Sequence, residues 1–350
     1  MVMNVKGYAA LAVKEDLVPH NFVRRDPRED DVVIDILYSG VCHSDIHNAY
    51  NDWGGAKYPM VPGHEIIGRV VHVGKSVTKF KVGDLAGVGC MVDSCQHCSA
   101  CEQGLEQYCE EGNTLTYNDI DRHDGLPTFG GYSDKIVVTE KFVVKVPEGI
   151  DLRGAAPLLC AGITTWSPLR HWQVGEGSKV AVVGLGGLGH MAIKLANALG
   201  AEVTLFTRSP GKEADARRLG ASHVVLSTDS EQMKATANQF DLIIDTVPYV
   251  HDLNPYIPTL ELSGTLVLVG YLGALDPFLN TVPLILGRRS VAGSVIGGIA
   301  ETQEMMDFCG QHGITADVEV IDIQDINRAW QRMLKSDVKY RFVIDIASLK

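Results

Sequence analysis

Long apolar runs are absent from this sequence of 350 residues, and no stretch approaches the about 18 residues needed to cross a bilayer. An excess of positive charge is also absent, because 31 Lys and Arg residues face 43 Asp and Glu residues, a formal net charge of −12. So acidic a chain is a poor non-specific binder of nucleic acid and of anionic membrane surfaces. The first ten residues lack a basic segment followed by an apolar core, so we expect a cytoplasmic protein without a secretory signal.

The composition is that of an ordinary globular protein, with 45% hydrophobic and 21% charged residues. At about 150 residues per domain, the length predicts two domains. The first part is rich in β-forming residues broken by glycine and proline, with predicted strands at Val32–Leu37, Ile66–Val73 and Lys135–Val138. We interpret this part as an irregular, β-barrel-like domain with long loops.

From Lys179 onward, apolar segments alternate with segments of helix length, which predicts a doubly wound parallel sheet of α/β class. The segment Leu188–Leu199 has apolar residues at helical spacing and ends at Gly200. A tail from about residue 301 contains helix, strand, helix and a last strand at Tyr340–Ile346, and it either extends the second domain or returns to the first. The predicted strands of the sheet are Val180–Val183, Val203–Phe206, Val224–Leu226, Leu242–Ile244, Leu266–Val269 and one near Val291–Val295.

Four of the eight cysteines lie close together in the spacing C-x2-C-x2-C-x7-C, namely Cys95, Cys98, Cys101 and Cys109. Thiolates two residues apart can share one ion in a tight turn, and zinc prefers four tetrahedral ligands. Because four thiolates leave no open position, the pattern predicts a structural zinc site. Free cysteines and an iron–sulfur cluster are the alternatives, although the cluster's usual Cys-Pro pair is missing.

A second, open metal site is one interpretation of Cys42, His64, Glu65 and Cys160. A catalytic zinc takes three protein ligands and keeps one exchangeable position, and two cysteines with one histidine are an established set. Taken singly, a lone cysteine is more often a small buried hydrophobe. The candidates are far apart in sequence, so spacing alone leaves both interpretations open.

Polar residues beside Cys42 indicate how such a site would work. Asp45 can accept a hydrogen bond from the non-ligating nitrogen of a metal-bound histidine and so fix its tautomer. Ser44 and His47 are near enough in sequence to form a proton path from a hydroxyl to an imidazole. A solvated polar turn is the alternative for these three residues.

A glycine-rich segment follows the strand at Val180–Val183 and precedes a helix, which is the context that a dinucleotide-binding G-x-G-x-x-G turn requires. Gly184 allows the tight turn, Gly186 lets the backbone approach a pyrophosphate, and Gly189 lets the helix pack closely on the sheet. The N terminus of the helix, with Gly187 and Leu188, then binds the phosphates.

The end of the next strand indicates which dinucleotide is bound. An NAD site expects an acidic residue there to bind the ribose diol, and this chain has Thr207, Arg208, Ser209 and then Lys212 instead. A carboxylate would repel a 2′-phosphate, whereas the two cations attract one. Ser209 with Pro210 is also a good helix start, but that role does not explain the missing acid. We therefore favour NADP(H).

Further motifs are CHSDIH at 42–47, GHEIIG at 63–68, LCAGITT at 159–165, GSVIGG at 293–298 and KYRFVID at 339–345. With the cysteine cluster and the glycine turn, they make the sequence resemble the zinc-containing medium-chain alcohol dehydrogenases over essentially the whole chain. The nearest branch is the cinnamyl-alcohol-dehydrogenase type, and within it the bacterial NADP-dependent aldehyde reductases. Arg208 departs from plant members of this branch, which carry small hydroxyl residues there.

The resemblance implies a catalytic zinc on Cys42, His64 and Cys160, with Glu65 as an alternative ligand in the resting state. It implies a proton path from the substrate oxygen through Ser44 and a cofactor ribose hydroxyl to His47. It implies a GroES-like catalytic domain of residues 1–154, to which residues 296–350 return, and a Rossmann cofactor domain of residues 155–295. It places further residues near the cofactor: Thr164, Thr246, Val247, Val269, Gly270, Ser294, Ile296 and Arg341.

The implied activity is zinc-dependent hydride transfer between NADP(H) and alcohol/aldehyde pairs, mainly the reduction of aromatic and medium aliphatic aldehydes. Trp53, Leu115 and Ile296 are candidate pocket walls, and plain core packing is an equally good interpretation. One alternative is a polyol dehydrogenase of the same superfamily, which should favour NAD and carry an acid near Thr207. A non-catalytic binding protein on the same scaffold is the other.

We also expect a homodimer that pairs through the last strand of the cofactor domain, near Arg289–Ile296. The edge of an open sheet leaves backbone groups unpaired, and a second copy related by a two-fold axis can satisfy them. A monomer whose sheet edge is covered by the C-terminal tail is the alternative.

Overall fold

The structure is a computed structural model that describes residues 3–270 and 273–350. The chain forms two compact units, of which the first runs to Cys160 and resumes at Gly297 and the second spans Ala161–Ile296. The boundaries predicted from the sequence lay after residue 154 and before residue 296. Residues 155–160 belong to the first unit because the short 3-10 helix Ala156–Leu159 packs against strands of its main sheet.

The elements are numbered along the chain. The strands are β1 Met3–Ala9, β2 Val18–Arg24, β3 Asp31–Val41, β4 Ile66–Val73, β5 Leu85–Val88, β6 Met91–Asp93, β7 Thr114–Leu115, β8 Lys135–Thr139, β9 Val144–Lys145, β10 Lys179–Val183, β11 Glu202–Thr207, β12 His223–Leu226, β13 Phe240–Asp245, β14 Leu260–Leu268, β15 Ser290–Gly293, β16 Val318–Asp322 and β17 Arg341–Asp345. The helices are α1 His43–Ala49, α2 Ser99–Glu102, α3 Leu152–Ala155, α4 Ala161–His171, α5 Gly187–Ala198, α6 Glu213–Leu219, α7 Ser230–Ala235, α8 Val282–Gly287, α9 Ile299–His312 and α10 Ile326–Leu334.

The first unit is built on a sheet with the strand order β16-β17-β3-β4-β5-β9, and β8 also pairs with β3. The strands predicted around residues 32, 66 and 135 are β3, β4 and β8, so these predictions are confirmed. The C-terminal tail contributes β16 and β17, and Phe342 of β17 lies opposite Val41 of β3. The tail therefore joins the sheet that leads directly into the Cys42 segment.

The second unit is a six-stranded parallel sheet in the order β12-β11-β10-β13-β14-β15. This is the predicted doubly wound arrangement, and the predicted helix over 188–199 is α5. The strands are nearly continuous apolar runs because helices cover both faces of such a sheet. Phe206, Phe240 and Tyr256 pack together in its core, with ring centroids 5.4 Å apart in each contact to Phe206.

The parallel strands of the second unit end in register. Val183 of β10 lies opposite Phe206 of β11 and Asp245 of β13, and Leu268 of β14 lies opposite Asp245. Residues that follow these strands consequently meet at one edge of the sheet, where doubly wound folds bind ligands. In the portion of the chain that the structure covers, no helix is long and apolar enough to span a membrane.

Candidate metal and cofactor sites

The four clustered cysteines of the first unit converge on one point. The ligand atoms of Cys95, Cys98, Cys101 and Cys109 all lie within 4.8 Å of one another, and the Cys95 and Cys101 sulfurs are 3.8 Å apart. Two thiolates that bind one tetrahedral zinc at about 2.3 Å are separated by about 3.8 Å, so the spacing fits one ion. The predicted structural site is therefore assembled in space.

Backbone N–H groups point at the sulfur atoms of this lobe. The N–H of Cys98 donates to Cys95 Sγ at 3.3 Å, and the N–H of Glu110 donates to Cys98 Sγ at 3.4 Å. Backbone hydrogen bonds from Glu110 and Cys101 lower the pKa of Cys98 to about 6, whereas burial raises the pKa of Cys101 to about 12. Donors aimed at sulfur favour thiolates, which are the form that a metal binds.

The second cluster is also assembled within the first unit, from three distant segments. Cys42 lies between β3 and α1, His64 and Glu65 precede β4, and Cys160 follows the 3-10 helix Ala156–Leu159. The ligand atoms of these four buried residues lie within 4.8 Å of one another, and the Cys42 and Cys160 sulfurs are 3.9 Å apart. The donor set of two sulfurs, one imidazole and one carboxylate fits zinc.

Asp45 connects two of these segments. Its fully buried carboxylate accepts the backbone N–H of Cys42 at 2.9 Å through Oδ2 and faces His64 Nδ1 at 3.1 Å through Oδ1. A hydrogen bond to Nδ1 holds the proton on that nitrogen and leaves Nε2 free to bind a metal. The prediction that Asp45 fixes the tautomer of a ligand histidine thus has the required geometry.

Glu65 is held by Arg341, which was predicted to lie near the cofactor. The Arg341 guanidinium, itself buried, bonds to Glu65 Oε1, while Oε2 has no hydrogen-bond partner among the described residues. Burial raises the pKa of Glu65 to about 8, against the opposing charge of Arg341. A Cβ on Gly40 would lie 1.9 Å from Glu65 Oε2, so only glycine at this position lets the carboxylate reach the cluster.

The pKa values of the side chains in this cluster are shifted in different directions. A hydrogen bond with Cys160 is the largest cause that lowers the pKa of Cys42 well below its usual value, and the same bond raises the pKa of Cys160. Burial is the largest single cause and lowers the pKa of His64, but Asp45, Cys90 and Cys42 together outweigh burial and the net shift is upward. The charge of a metal ion would displace these protons, because coordinating thiols are deprotonated outright.

Ser44 and His47 lie three positions apart on α1, so they are neighbours on one face of that helix. Ser44 Oγ is 3.6 Å from Cys42 Sγ, which places the hydroxyl beside the cluster. His47 Nδ1 is 2.9 Å from Asp52 Oδ2, and the His47 ring lies 5.1 Å from that of Trp53. The proton path through a cofactor hydroxyl between Ser44 and His47 stays a prediction.

The glycine turn of the second unit has the backbone that the motif requires. Gly184 has φ +90°, a left-handed conformation that favours glycine, and Gly186 directly precedes α5. A Cβ on Gly189 would lie 2.1 Å from the Gly184 carbonyl oxygen, whereas a Cβ on Gly186 would meet no described atom within 4 Å. Close helix packing thus needs Gly189, and the space over Gly186 is open for a phosphate at the helix start, where Gly187 and Leu188 form the first turn.

Other predicted cofactor residues follow the ends of neighbouring strands at the same edge. Thr246 Oγ1 donates to the Val183 carbonyl at 2.8 Å and so joins the end of β13 to the glycine turn. The Val269 N–H donates to the Asp245 backbone carbonyl at 3.1 Å, and the Ser294 N–H donates to the Leu268 backbone carbonyl at 3.1 Å. Val247, Gly270 and Ile296 follow the same strand ends, and Thr164 is buried in α4.

The segment after β11 offers hydroxyls and cations where an NAD site would have an acid. Thr207 Oγ1 accepts the N–H of Ser209 at 3.1 Å, and Arg208 donates to the Tyr249 hydroxyl at 3.1 Å. Lys212 Nζ lies 3.5 Å from the Leu185 carbonyl of the glycine turn. Ser209 precedes a 3-10 turn, but its side chain makes no capping hydrogen bond to any residue that the structure describes, so helix capping does not account for it.

Known proteins and family models match most of this chain. Two family models match the chain, an alcohol dehydrogenase GroES-like domain at residues 28–148 and a zinc-binding dehydrogenase at residues 187–311. An aldehyde reductase of Escherichia coli (strain K12) is 52% identical over 348 residues, which is 99% of each chain. The chain belongs to the zinc-containing alcohol dehydrogenase family.

Solved structures agree with this membership. A cinnamyl alcohol dehydrogenase of Sorghum bicolor is 47% identical with a TM-score of 0.95, and the match covers 99% of both chains. A structure of CAD from Helicobacter pylori complexed with NADP(H) is 46% identical with a TM-score of 0.92, again over 99% of both chains. The predicted resemblance and fold class are confirmed, and the chain is an oxidoreductase of this alcohol dehydrogenase family.

Sequence reasoning missed several residues at the metal cluster of this dehydrogenase. Tyr132 and Tyr117 contact Asp45, and Cys90 lies against Leu159 and Cys160. The sequence marks these residues only weakly, for example by the two glycines that directly precede Tyr132. The core-packing interpretation of two candidate pocket walls is wrong, since Trp53 and Leu115 are 45% and 40% exposed.

Proposed function

We propose that this dehydrogenase transfers hydride between NADP(H) and aldehyde/primary alcohol pairs and mainly reduces aromatic and medium aliphatic aldehydes. One observation carries the proposal: Cys42, His64, Glu65 and Cys160 converge from three distant segments into a buried cluster with a tautomer-fixing carboxylate. A non-catalytic binding protein on the same scaffold would not need a buried set of metal ligands. The E. coli relative named aldehyde reductase supports the direction of reaction.

The ligand residues have distinct roles. Cys42, Cys160 and His64 Nε2 would hold the zinc. Glu65, which Arg341 holds in position, would join them as a further ligand when no substrate is bound. When bound, zinc polarises a carbonyl oxygen as a Lewis acid, and the nicotinamide supplies hydride. Burial of the cluster excludes water and so strengthens every charge interaction at the reacting oxygen.

Two residues of α1, Ser44 and His47, would supply the proton that the reduced substrate takes up. Ser44 lies nearest the cluster and would donate a proton to the developing alkoxide, and His47 would replenish it from solvent. His47 suits this role because Asp52 engages Nδ1 and leaves Nε2 as the exchanging nitrogen. The exposed Trp53 ring beside His47 offers an apolar wall for an aromatic aldehyde.

The preference for NADP(H) rests on the segment after β11. Arg208 and Lys212 would pair with a 2′-phosphate, and Thr207 and Ser209 would donate hydrogen bonds to it. The CAD structure complexed with NADP(H) supports this choice. A polyol dehydrogenase with an NAD preference would carry an acid where Thr207 stands.

A kinetic comparison with the purified chain tests the proposed function. With benzaldehyde as the substrate, kcat/KM should be at least about tenfold higher with NADPH than with NADH, which corresponds to about 1.4 kcal/mol of transition-state stabilisation. A panel of aliphatic aldehydes and polyols then defines the substrate class. Equal values for the two cofactors, or faster oxidation of a polyol with NAD, would contradict the proposal.

We also propose a homodimer that joins through the free edge of β15. This strand is last in its sheet, and the tail strands β16 and β17 belong to the other sheet, which weighs against the tail-covered monomer. Apolar side chains of β14 and of the segment before β15 are strongly exposed, namely Leu262, Phe278, Val282, Ile285 and Leu286 at 56% to 91%. Large apolar side chains with this exposure would be buried if two copies associated here, which favours an interface.

Leu286→Glu should convert the dimer to a monomer, because it places two charges in a desolvated interface. Light scattering at micromolar concentration should give about twice the chain mass of 38.0 kDa for the unmodified protein and about one chain mass for the variant. Val82→Glu is the matched control, since Val82 is 61% exposed in the first unit. A monomeric unmodified protein would refute the dimer.

We propose a cytoplasmic location for the enzyme. The two candidate metal sites use six of the eight cysteines, and these six form no disulfide bonds, which fits a reducing compartment. A folded extracellular form with disulfides among these cysteines would refute this proposal.

A further inference from the structure

Two buried tyrosine hydroxyls lie on the carboxylate that orients His64. The Tyr132 hydroxyl donates to Asp45 Oδ2 at 3.0 Å, and its side chain is completely buried. The Tyr117 phenol lies beside the same carboxylate and accepts the Asn48 side-chain amide at 3.1 Å, and its ring stacks on that of His64 with centroids 5.8 Å apart. Neither tyrosine is a candidate metal ligand, so both act on the site through Asp45 and His64.

The Asp45 carboxylate is saturated by these contacts. Oδ2 accepts the Cys42 N–H and the Tyr132 hydroxyl, and Oδ1 accepts the Gly63 N–H at 3.2 Å and faces His64 Nδ1. A carboxylate offers about four lone-pair positions, so these four partners determine its plane and orientation. Burial, together with the charge of Asp45, raises the pKa values of the Tyr117 and Tyr132 phenols well above the usual value for tyrosine. Both phenols therefore keep their protons.

The segment that carries Tyr132 also braces the loop that carries His64. The N–H groups of Gly130, Gly131 and Tyr132 donate to the carbonyls of Val61, Gly63 and Pro62 at 2.8, 2.9 and 3.0 Å. Gly63 has φ +104°, and a Cβ there would lie 2.7 Å from the Tyr132 ring. The ring therefore packs directly over the residue before His64, and both its backbone and its hydroxyl hold the loop in place.

We propose that Tyr132 and Tyr117 are positioning residues that set the affinity and ligand geometry of the catalytic metal through Asp45 and His64. This inference rests on the proposed function, because it takes Cys42, His64 and Cys160 as the metal ligands. Loss of the Tyr132 hydroxyl frees one side of the Asp45 carboxylate, which then rotates or recruits water. Loss of the Tyr117 hydroxyl removes a polar group that lies beside both Asp45 and His64. His64 consequently loses its fixed partner and binds the metal less rigidly.

Metal release from the intact protein tests the inference. Enzyme loaded with zinc, or with cobalt as a spectroscopic probe, is mixed with excess chelator, and release is followed in time. The unmodified chain should release two metals in two phases, and Cys42→Ala should remove the phase of the catalytic site. Tyr132→Phe and Tyr117→Phe should each speed that phase about tenfold and shift the cobalt absorption bands, since loss of an outer-shell partner typically costs 10- to 100-fold in affinity.

Two controls separate positioning from general stability. The phase of the four-cysteine site should be unchanged in both variants, since Tyr132 and Tyr117 contact the other cluster. Tyr256→Phe removes another buried hydroxyl, one that bonds to Ser227 in the second unit, and should leave both phases and the cobalt spectrum unchanged. If Tyr132→Phe does not fold, Tyr117→Phe carries the test alone.

The outcomes are distinguishable. Release rates and cobalt spectra equal to those of the unmodified chain in both phenylalanine variants would overturn the inference and leave the proposed function intact. Equal acceleration of both release phases would also overturn it, because the hydroxyls would then contribute only to general stability. A single bound metal in the unmodified chain would contradict the proposed function and the inference together.

Discussion

Cys42→Ala should lower the rate of benzaldehyde reduction by NADPH at least about a thousandfold while the chain stays folded. Cys42 supplies one of the two sulfurs of the buried cluster, and a Lewis-acid metal contributes several kcal/mol to the transition state. About 4 kcal/mol corresponds to about a thousandfold in rate. The substitution removes a single buried sulfur atom and should cost only about 1 kcal/mol of folding stability.

Cys98→Ala is the matched counterpart of this variant, because it removes a sulfur from the other cysteine cluster. It should lower the melting temperature and release one metal per chain, since a closed structural site contributes its binding energy to folding. Circular dichroism, elemental analysis and steady-state rates on both variants separate the two sites. A Cys42→Ala protein with zinc bound at both sites and normal turnover would show that the proposed catalytic cluster is wrong.

Thr207→Asp combined with Arg208→Ala should lower the ratio of kcat/KM for NADPH to that for NADH by about 100-fold. The arginine would be lost as a partner of the 2′-phosphate, and the new carboxylate would repel that phosphate while it binds a free ribose diol. A hydrogen bond to a charged group is worth about 1.5–3 kcal/mol, and about 2.7 kcal/mol corresponds to 100-fold.

Arg217→Ala is the control for this change, since Arg217 is an exposed arginine on α6 that pairs with Glu213. It removes the same charge from the second unit and should leave the cofactor ratio within about twofold. The ratio should change mainly through KM for NADPH, because the phosphate contact is remote from hydride transfer. An unchanged ratio in the double variant would place the 2′-phosphate site elsewhere.

Local patterns in the sequence were enough for the fold class and for the closed metal site. The alternation of apolar strands and helical segments after Lys179 predicted the parallel sheet, because each strand and helix signals itself over a few residues. The spacing of Cys95, Cys98, Cys101 and Cys109 predicted one site for the same reason. The Gly184 turn was recognisable because a strand and a helix flank it directly.

Only the tertiary structure brought Cys42, His64 and Cys160 together, since spacing alone left both a metal site and ordinary buried residues open. β3 and β4 pair next to each other and carry Cys42 and His64 to the same place, and the 3-10 helix before Cys160 packs on that sheet. The roles of Gly40 and Tyr132 were hidden because they depend on side chains far away in sequence: a Cβ on Gly40 would lie 1.9 Å from Glu65 Oε2, and the Tyr132 hydroxyl lies 3.0 Å from Asp45. Sequence reports local periodicity and spacing, whereas a site built from long-range contacts is decided by which strands pair and how closely their side chains approach.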